Sequence, residues 1–386
     1  MAIARRLSAA LLLAVGSLAA APIPQDLAEQ VRAAQANGDY QKAATLYGQL
    51  IAAGTDSPEI RSNYGTMLYL AGHDREALEQ FRFAIKNNPN LAAPNLLAGM
   101  ALSRLGQWNT AVPYLERARR QQPNSPAPLL ALGKAYVGVR DYRAAHQAYT
   151  AAAALDVRSA EAWYGAGITA RSLADAILKK SHEPDAECKQ LLRDSLQALT
   201  RAVALEPASP RAHVILAESL RDSGSFGEAL TEYETALRLS PQDAAVNLGL
   251  ATTYWKSNDP EKAIPHLETV LKRLPNDAEA NGIMANVLVR RGDYLQALPF
   301  AQKALAANPN LAQVRFSLAK IYMEQRQETR AIGELRKITA VDPDGTYHFV
   351  LARALKSLGR DAESQAALTR FKELRAQSKG RVVNPE

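Results

Sequence analysis

A fixed period of 34 residues constrains this chain more than any other feature. Ala43, Ala77, Ala111 and Ala145 stand 34 apart, the period slips, and it resumes at Ala229, Ala263, Ala297 and Ala331. Twelve residues ahead of the alanines from Ala77 onward sits another small residue: Gly65, Gly99, Gly133, Ala217, Ala251, Ala285 and Ala319, with Gly167 in the interrupted copy. Seven residues after each alanine lie Leu50, Ala84, Ala118, Ala152, Ala236, Val270, Ala304 and Ile338. Pro89, Pro123, Pro241, Pro275, Pro309 and Pro343 close the copies, and Pro207 closes the interrupted one. A repeat of this length holds two helices and a turn, and a run of such units buries one face of each against its neighbour. Small residues let facing helix backbones approach, and proline stops one unit before the next begins. With 47% hydrophobic and only 6% aromatic residues, the Ala-rich composition favours helix.

These columns resemble the tetratricopeptide-repeat (TPR) signature. The small residue, the aromatic near the turn (Tyr40, Trp108, Tyr142), the central Ala and the closing Pro all fall at family positions. The likeness covers about residues 24–378. It implies an all-α fold: a right-handed superhelical solenoid of antiparallel helix pairs. The units read as 24–57, 58–91, 92–125, 126–159, a long one at 160–209, then 210–243, 244–277, 278–311 and 312–345. A tenth at 346–378, carrying Gly359 and a polar last helix, reads as a C-terminal cap, and 379–386 as a flexible tail.

The long unit departs most from the pattern. Its extra segment, 173–188, stays helix-compatible, with Leu173, Ile177 and Leu178 on one side and Leu191 and Leu192 on the other. His182-Glu183-Pro184 reads as a turn, and Asp185 and Glu187 suit the start of a helix. Both helices of this unit are expected to lengthen by about two turns, on the order of 12 Å.

The N-terminus carries a second signal. Arg5 and Arg6 precede an uncharged run from Leu7 to Ala21 that includes Leu11-Leu12-Leu13, then Pro22 and Pro24. Residues 1–21 are therefore read as a signal peptide, with the cut best placed after Ala19, since the run is shorter than the ~20 residues a spanning helix needs. The expected location is periplasmic or secreted, with no membrane span after cleavage. Cys188 is the single cysteine, which excludes an internal disulfide and a cysteine-based metal site. Lys and Arg outnumber Asp and Glu by 46 to 39, but they are spread along the chain rather than clustered, so solvated helix faces account for them better than a nucleic-acid surface.

Catalytic chemistry has little room. Gly165-Ala166-Gly167-Ile168-Thr169-Ala170 matches a dinucleotide fingerprint formally, but that motif works only in a strand-to-helix turn, and here it falls inside an expected helix. The histidines (73, 146, 182, 213, 266 and 348) include no i, i+4 pair of the kind that holds a metal on a helix. No enzyme activity, cofactor or metal is expected.

The TPR resemblance implies that the first helix of each pair lines a concave groove holding a peptide or partner helix. The family's groove positions fall on Leu96, Met100, Leu130, Lys134, Tyr164, Ile168, Arg171, Val214, Arg221, Leu248, Trp255, Phe316 and Lys320. This set is apolar and basic, suited to a peptide with apolar anchors and some negative charge. The Lys–Asn clamp that some TPR proteins use for a chaperone C-terminus is missing, since Ala28/Arg32, Ser62/Thr66 and Leu96/Met100 stand there. The expected role is a protein-binding scaffold or adaptor in the cell envelope. A regulatory or substrate-docking subunit of a separate envelope enzyme is the alternative, and a basic surface binding an anionic polymer the third reading.

Overall fold

The computed structural model describes residues 25–181 and 185–382, and among these it holds twenty α-helices and no strand. The segment read as a signal peptide and the His182-Glu183-Pro184 turn lie outside the described residues. Contacts divide the chain into two compact units, the boundary falling between Pro207 and Ala208.

The first unit contains five helix pairs: α1 Gln25–Ala36 with α2 Tyr40–Ala52, α3 Pro58–Leu70 with α4 Asp74–Asn87, α5 Ala92–Arg104 with α6 Trp108–Gln121, α7 Pro126–Gly138 with α8 Tyr142–Leu155, and α9 Ala160–Ser181 with α10 Ala186–Leu205. The second contains α11 Pro210–Asp222 with α12 Phe226–Leu239, α13 Ala244–Lys256 with α14 Pro260–Arg273, α15 Ala278–Arg291 with α16 Tyr294–Ala307, α17 Ala312–Glu324 with α18 Glu328–Arg336, and α19 Thr346–Ser357 with α20 Asp361–Val382. Within each unit every helix packs on its pair-mate, and first helices of consecutive pairs also touch, as α3 does α5 and α5 does α7.

The helix starts follow from local chemistry. Ser57, Ser125 and Ser209 cap helices whose first residue is proline, where the missing N–H costs nothing. Asp39, Asp141 and Asp277 accept from the amides of Lys42, Ala144 and Ala280. Apart from the long pair, whose turn lies outside the described residues, the turn inside each pair uses one left-handed residue. Gly38, Gly72, Gly106, Gly224 and Gly292 hold it with φ from 71° to 92°, and Arg140, Asn258 and Arg326 hold the same phase without glycine at 63°, 68° and 56°.

The central alanines from Ala43 to Ala331 are all fully buried, as are Ala84, Ala118, Ala152, Ala236, Val270 and Ala304 seven residues on. A column of large residues fits against the small ones. A Cβ on Gly65, Gly99, Gly133 or Gly167 would sit 2.7 Å or less from the side chain of Phe81, Leu115, Tyr149 or Leu199 respectively. The small residue is therefore the socket for a knob sixteen residues on, or thirty-two in the long pair. Burying such knobs supplies most of the cohesion, at roughly 25 cal/mol per Å² of apolar surface.

Four of the pairs also carry a polar link at one position. The first and second helices are joined by Arg61 with Gln80, His213 with Glu232, Asn247 with His266 and Arg315 with Glu334, each 19 residues apart. Burial alone would raise the Glu334 carboxyl, but Lys337 and Arg315 hold it below the usual value. His266, stacked on Tyr254 at 5.9 Å, is pushed below the ordinary imidazole value by burial.

In the long pair, α9 has 22 residues and α10 has 20, where the flanking first and second helices have 13 and 14. Leu173, Ile177 and Leu178 pack on Ala170, Ala174, Cys188 and Leu191, while Leu192 is left exposed. The Cys188 thiol is fully buried, 3.7 Å from the Ala174 carbonyl, and burial raises it above its ordinary pKa. The glycine fingerprint at 165–170 is continuous helix, and Gly165 faces the ring of Tyr149. The second helix of the ninth pair stops at Arg336 and is followed by a 3₁₀ turn, Thr339–Val341, where β-branched residues lower helix propensity ahead of Pro343. The last helix continues to Val382, so the first residues of the segment read as a tail are helical.

Candidate functional site

Three of the groove positions, Met100, Leu130 and Lys134, line one pocket of about 420 Å³ on the first helices of the first unit. The remaining wall comes from Tyr69, Ser103, Arg104, Trp108, Ala127 and Ala131. Trp108, the first residue of α6, is held by the backbone of α7. A Cβ on Gly138 would lie 2.2 Å from the indole Cδ2, so only glycine leaves the slot the ring occupies.

Both cations at this pocket already have partners. The Arg104 guanidinium lies 4.0 Å above the ring of Tyr69, donates through Nε to Asp74 Oδ2 at 2.9 Å, and donates through Nη2 to the Tyr69 carbonyl at 2.9 Å. Lys134 forms an ion pair with Glu161. The sequence reading gave this region a basic character. The structure neutralises it with Asp74 and Glu161, leaving an apolar hollow between aromatic walls. Such a hollow takes an apolar side chain, whose transfer from water is favourable by roughly 1.5–3 kcal/mol.

The other groove positions are distributed as follows. Leu96 is 4% exposed and belongs to the core of the first unit. Tyr164, Ile168 and Arg171 are half-buried on α9. In the second unit, Val214 packs beside Ala217, Tyr233 and Leu250. Arg221, its side chain 16% exposed, donates from Nη1 to Tyr233 Oη at 3.2 Å. Leu248 and Trp255 pack on the C-terminal core, and Phe316 lies within it at 5% exposure. Lys320 Nζ stands 4.6 Å over the Phe316 ring, and the loss of water there lowers its pKa below the usual lysine value. Met100, Leu130 and Lys134 thus share a pocket, and Phe316 and Lys320 touch each other.

Sequence reading missed Tyr69, Arg104 and Trp108. Trp108 was visible as the aromatic of the turn, but its placement on Gly138 of the next pair is a tertiary fact. Arg104 could be found only by knowing that Asp74, 30 residues back, holds it. Among the described residues, no group of three or more His, Cys, Asp and Glu could hold a metal ion, and no helix is long and apolar enough to cross a membrane.

The paired helices, their buried small-residue columns and the row of first helices define an all-α protein of repeated helix hairpins. Tetratricopeptide-repeat family profiles match residues 28–92, 92–135, 130–179, 190–244, 220–287 and 288–354, and the chain belongs to that family. TPR proteins bind protein or peptide partners and generally serve as interaction scaffolds.

Several solved structures are similar. YrrB, a TPR protein with an unusual peptide-binding site, is 21% identical, the alignment covering 53% of this chain and 96% of that one with a TM-score of 0.44. MamA from Desulfovibrio magneticus RS-1 is 20% identical over 47% of this chain and 93% of its own, with a TM-score of 0.41. Yeast Tom70 is 14% identical over 92% of this chain and 94% of its own, with a TM-score of 0.40. Among curated proteins, the Vi polysaccharide export protein VexE of Salmonella typhi is 32% identical over 113 residues, which make up 28% of this chain and 17% of that protein. The matched stretch is thus under one fifth of that relative's length.

Proposed function

We propose that this chain is a non-catalytic interaction scaffold or adaptor of the cell envelope, exported through a leader within residues 1–21 that is cut after Ala19, and that it binds a partner peptide along its first helices. The observation that carries the reading is the pocket between Tyr69 and Trp108. It is open, apolar and set on the helix row that TPR proteins use, and its cations are internally paired. One apolar anchor side chain of the partner enters there, and the flanking helices hold the backbone on either side. The leader-like segment and the partial match to an export protein support the envelope setting.

Peptides selected from a random library against the mature chain are expected to carry one essential apolar residue. Met100→Glu with Leu130→Glu is expected to weaken them at least about tenfold, or ~1.4 kcal/mol, while the melting temperature stays within a few degrees. Equal affinity for wild type and variant, by calorimetry, rejects the pocket as the binding site. Charge reversal at Arg221 is a poorer probe, because the lost hydrogen bond to Tyr233 would disturb folding as well. For the location, intact mass of the protein recovered from its native host is expected to show a chain beginning at Ala20, and recovery of the unprocessed chain from the cytoplasm would remove the envelope assignment.

A further inference from the structure

The long pair, like the pair before it with Leu129 and Ala148, has no polar link at the position where four of the other pairs carry one. Where Arg61, His213, Asn247 and Arg315 each meet a polar partner on the second helix, the corresponding residue in the long pair is Trp163, and the residue facing it, 35 further on, is Ala198. Ala198 is buried beside Tyr149 and Ala166, and Trp163 packs against that cluster. A hollow of about 710 Å³ lies beside the indole, lined by Trp163, Leu196 and Ala204 together with Arg193, Gln197, Thr200 and Arg201. Trp163 is half-buried and fixed, its Nε1 donating to the Val157 carbonyl at 3.0 Å. The Arg201 guanidinium lies 5.7 Å from its ring centre, and Arg193 donates to Gln190 Oε1 at 2.6 Å.

Both arginines are exposed, and among the described residues neither has a carboxylate partner. The nearby acids are engaged elsewhere. Asp194 accepts from Gln190, Glu187 pairs with Arg143, and Glu161 pairs with Lys134. This is the reverse of the first-helix pocket, where each cation is neutralised internally.

We propose that this hollow is a second docking site, for an extended acidic peptide with the pattern acid–x–apolar–x–acid. The spacing selects that pattern. Arg193 and Arg201 are eight residues apart on one helix, about 12 Å along its axis. An extended peptide covers that distance in four residues, at about 3.3 Å each. Its side chains i, i+2 and i+4 share one face, so two carboxylates reach the two guanidiniums while the central side chain enters between Trp163 and Leu196. An anionic polymer would meet the arginines but has nothing to place in the apolar hollow, which favours the peptide. The site shares no lining residue with the proposed first-helix pocket, although Leu130 of that pocket and Trp163 pack on a common cluster.

The test is anisotropy of a fluorescent Ser-Glu-Ser-Leu-Ser-Glu-Ser peptide with the full mature chain. Saturable binding is expected, weakened at least tenfold by Arg193→Glu with Arg201→Glu and several-fold by serine in place of the peptide's leucine. The reversed-charge chain is expected to bind the matching peptide with two lysines, which shows in the same experiment that it is folded. Met100→Glu alone, in the first-helix pocket but outside the clusters that Trp163 packs on, is expected to leave the acidic peptide's affinity unchanged, so a failure here and a failure of the first-helix pocket are told apart. The proposal is overturned if the reversed-charge chain binds the acidic peptide as tightly as wild type. It is equally overturned if inorganic polyphosphate binds at the same arginines and the peptide's leucine makes no difference.

Discussion

Truncating Tyr233 to alanine is expected to destabilise the protein by about 3–5 kcal/mol, the usual cost of removing a large aromatic from a packed interior. Tyr233 is 1% exposed and is the largest fully buried side chain in the molecule's described part. Its ring fills the space between α12 and α13, resting on the backbone of Gly249 and packing with Ala217, Val246 and Leu250. Its hydroxyl also accepts from Arg221. The truncation therefore opens a cavity and leaves a mostly buried guanidinium without that acceptor, two costs of different kind. Tyr233→Phe separates them: it keeps the ring, and losing the hydrogen bond alone is expected to cost about 1 kcal/mol. Urea denaturation followed by helical circular dichroism measures both. A loss below about 1 kcal/mol for the alanine variant would show that the ring is not the knob of this pair.

Gly249→Ala is expected to change sign with its background. In wild type, the added methyl would lie 2.3 Å from Tyr233 Cε1 and 2.5 Å from Cζ. The ring is enclosed and cannot swing aside, so overpacking costs about 1–3 kcal/mol and outweighs the ~1 kcal/mol that alanine gains over glycine in a helix. Once Tyr233 is alanine, the clash is gone and the helix preference remains, so the same substitution becomes neutral or stabilising. The coupling between the two positions is then about 2 kcal/mol, read from four denaturation curves in a double-mutant cycle. Additive effects would mean that Gly249 is there for some reason other than the ring above it. The same logic applies to Gly99 beneath Leu115 and Gly138 beneath Trp108, where the near atoms are 2.4 and 2.2 Å away.

These two predictions show how the fold was legible. A glycine or alanine at fixed phase is visible in sequence because every pair needs close helix approach at the same place, and the requirement repeats each time the unit is copied. The knob sixteen residues on is less visible, since Phe81, Leu115, Tyr149, Tyr233 and Leu267 satisfy it equally and no single residue type recurs. The polar links are harder still. Arg61 with Gln80, His213 with Glu232, Asn247 with His266 and Arg315 with Glu334 share a geometry but no composition. Their common feature is a spacing of 19, which emerges only once the pairing is known.

The candidate sites divide in the same way. Met100, Leu130 and Lys134 could be named from their place in the repeat, because position on the first helix follows from the period. That Lys134 is paired with Glu161 and Arg104 with Asp74 could not, since those partners come from neighbouring pairs and ion pairing depends on a few ångströms of side-chain placement. The hollow beside Trp163 was equally hidden. Its lining brings Trp163 of α9 beside Arg193, Leu196 and Arg201 of α10, residues at least 30 apart in the chain that meet only once the two helices pair.

By itself, the sequence determined the all-helical repeat, its phase and the buried small-residue columns, because each is a local requirement met again every 34 residues, and the lengthened pair, because it is where that period slips. Only the tertiary structure decided which cations are neutralised, which aromatics stand in open hollows and where the chain divides into two compact units. Those depend on contacts between residues far apart in the chain, and no periodic constraint writes such contacts into the sequence.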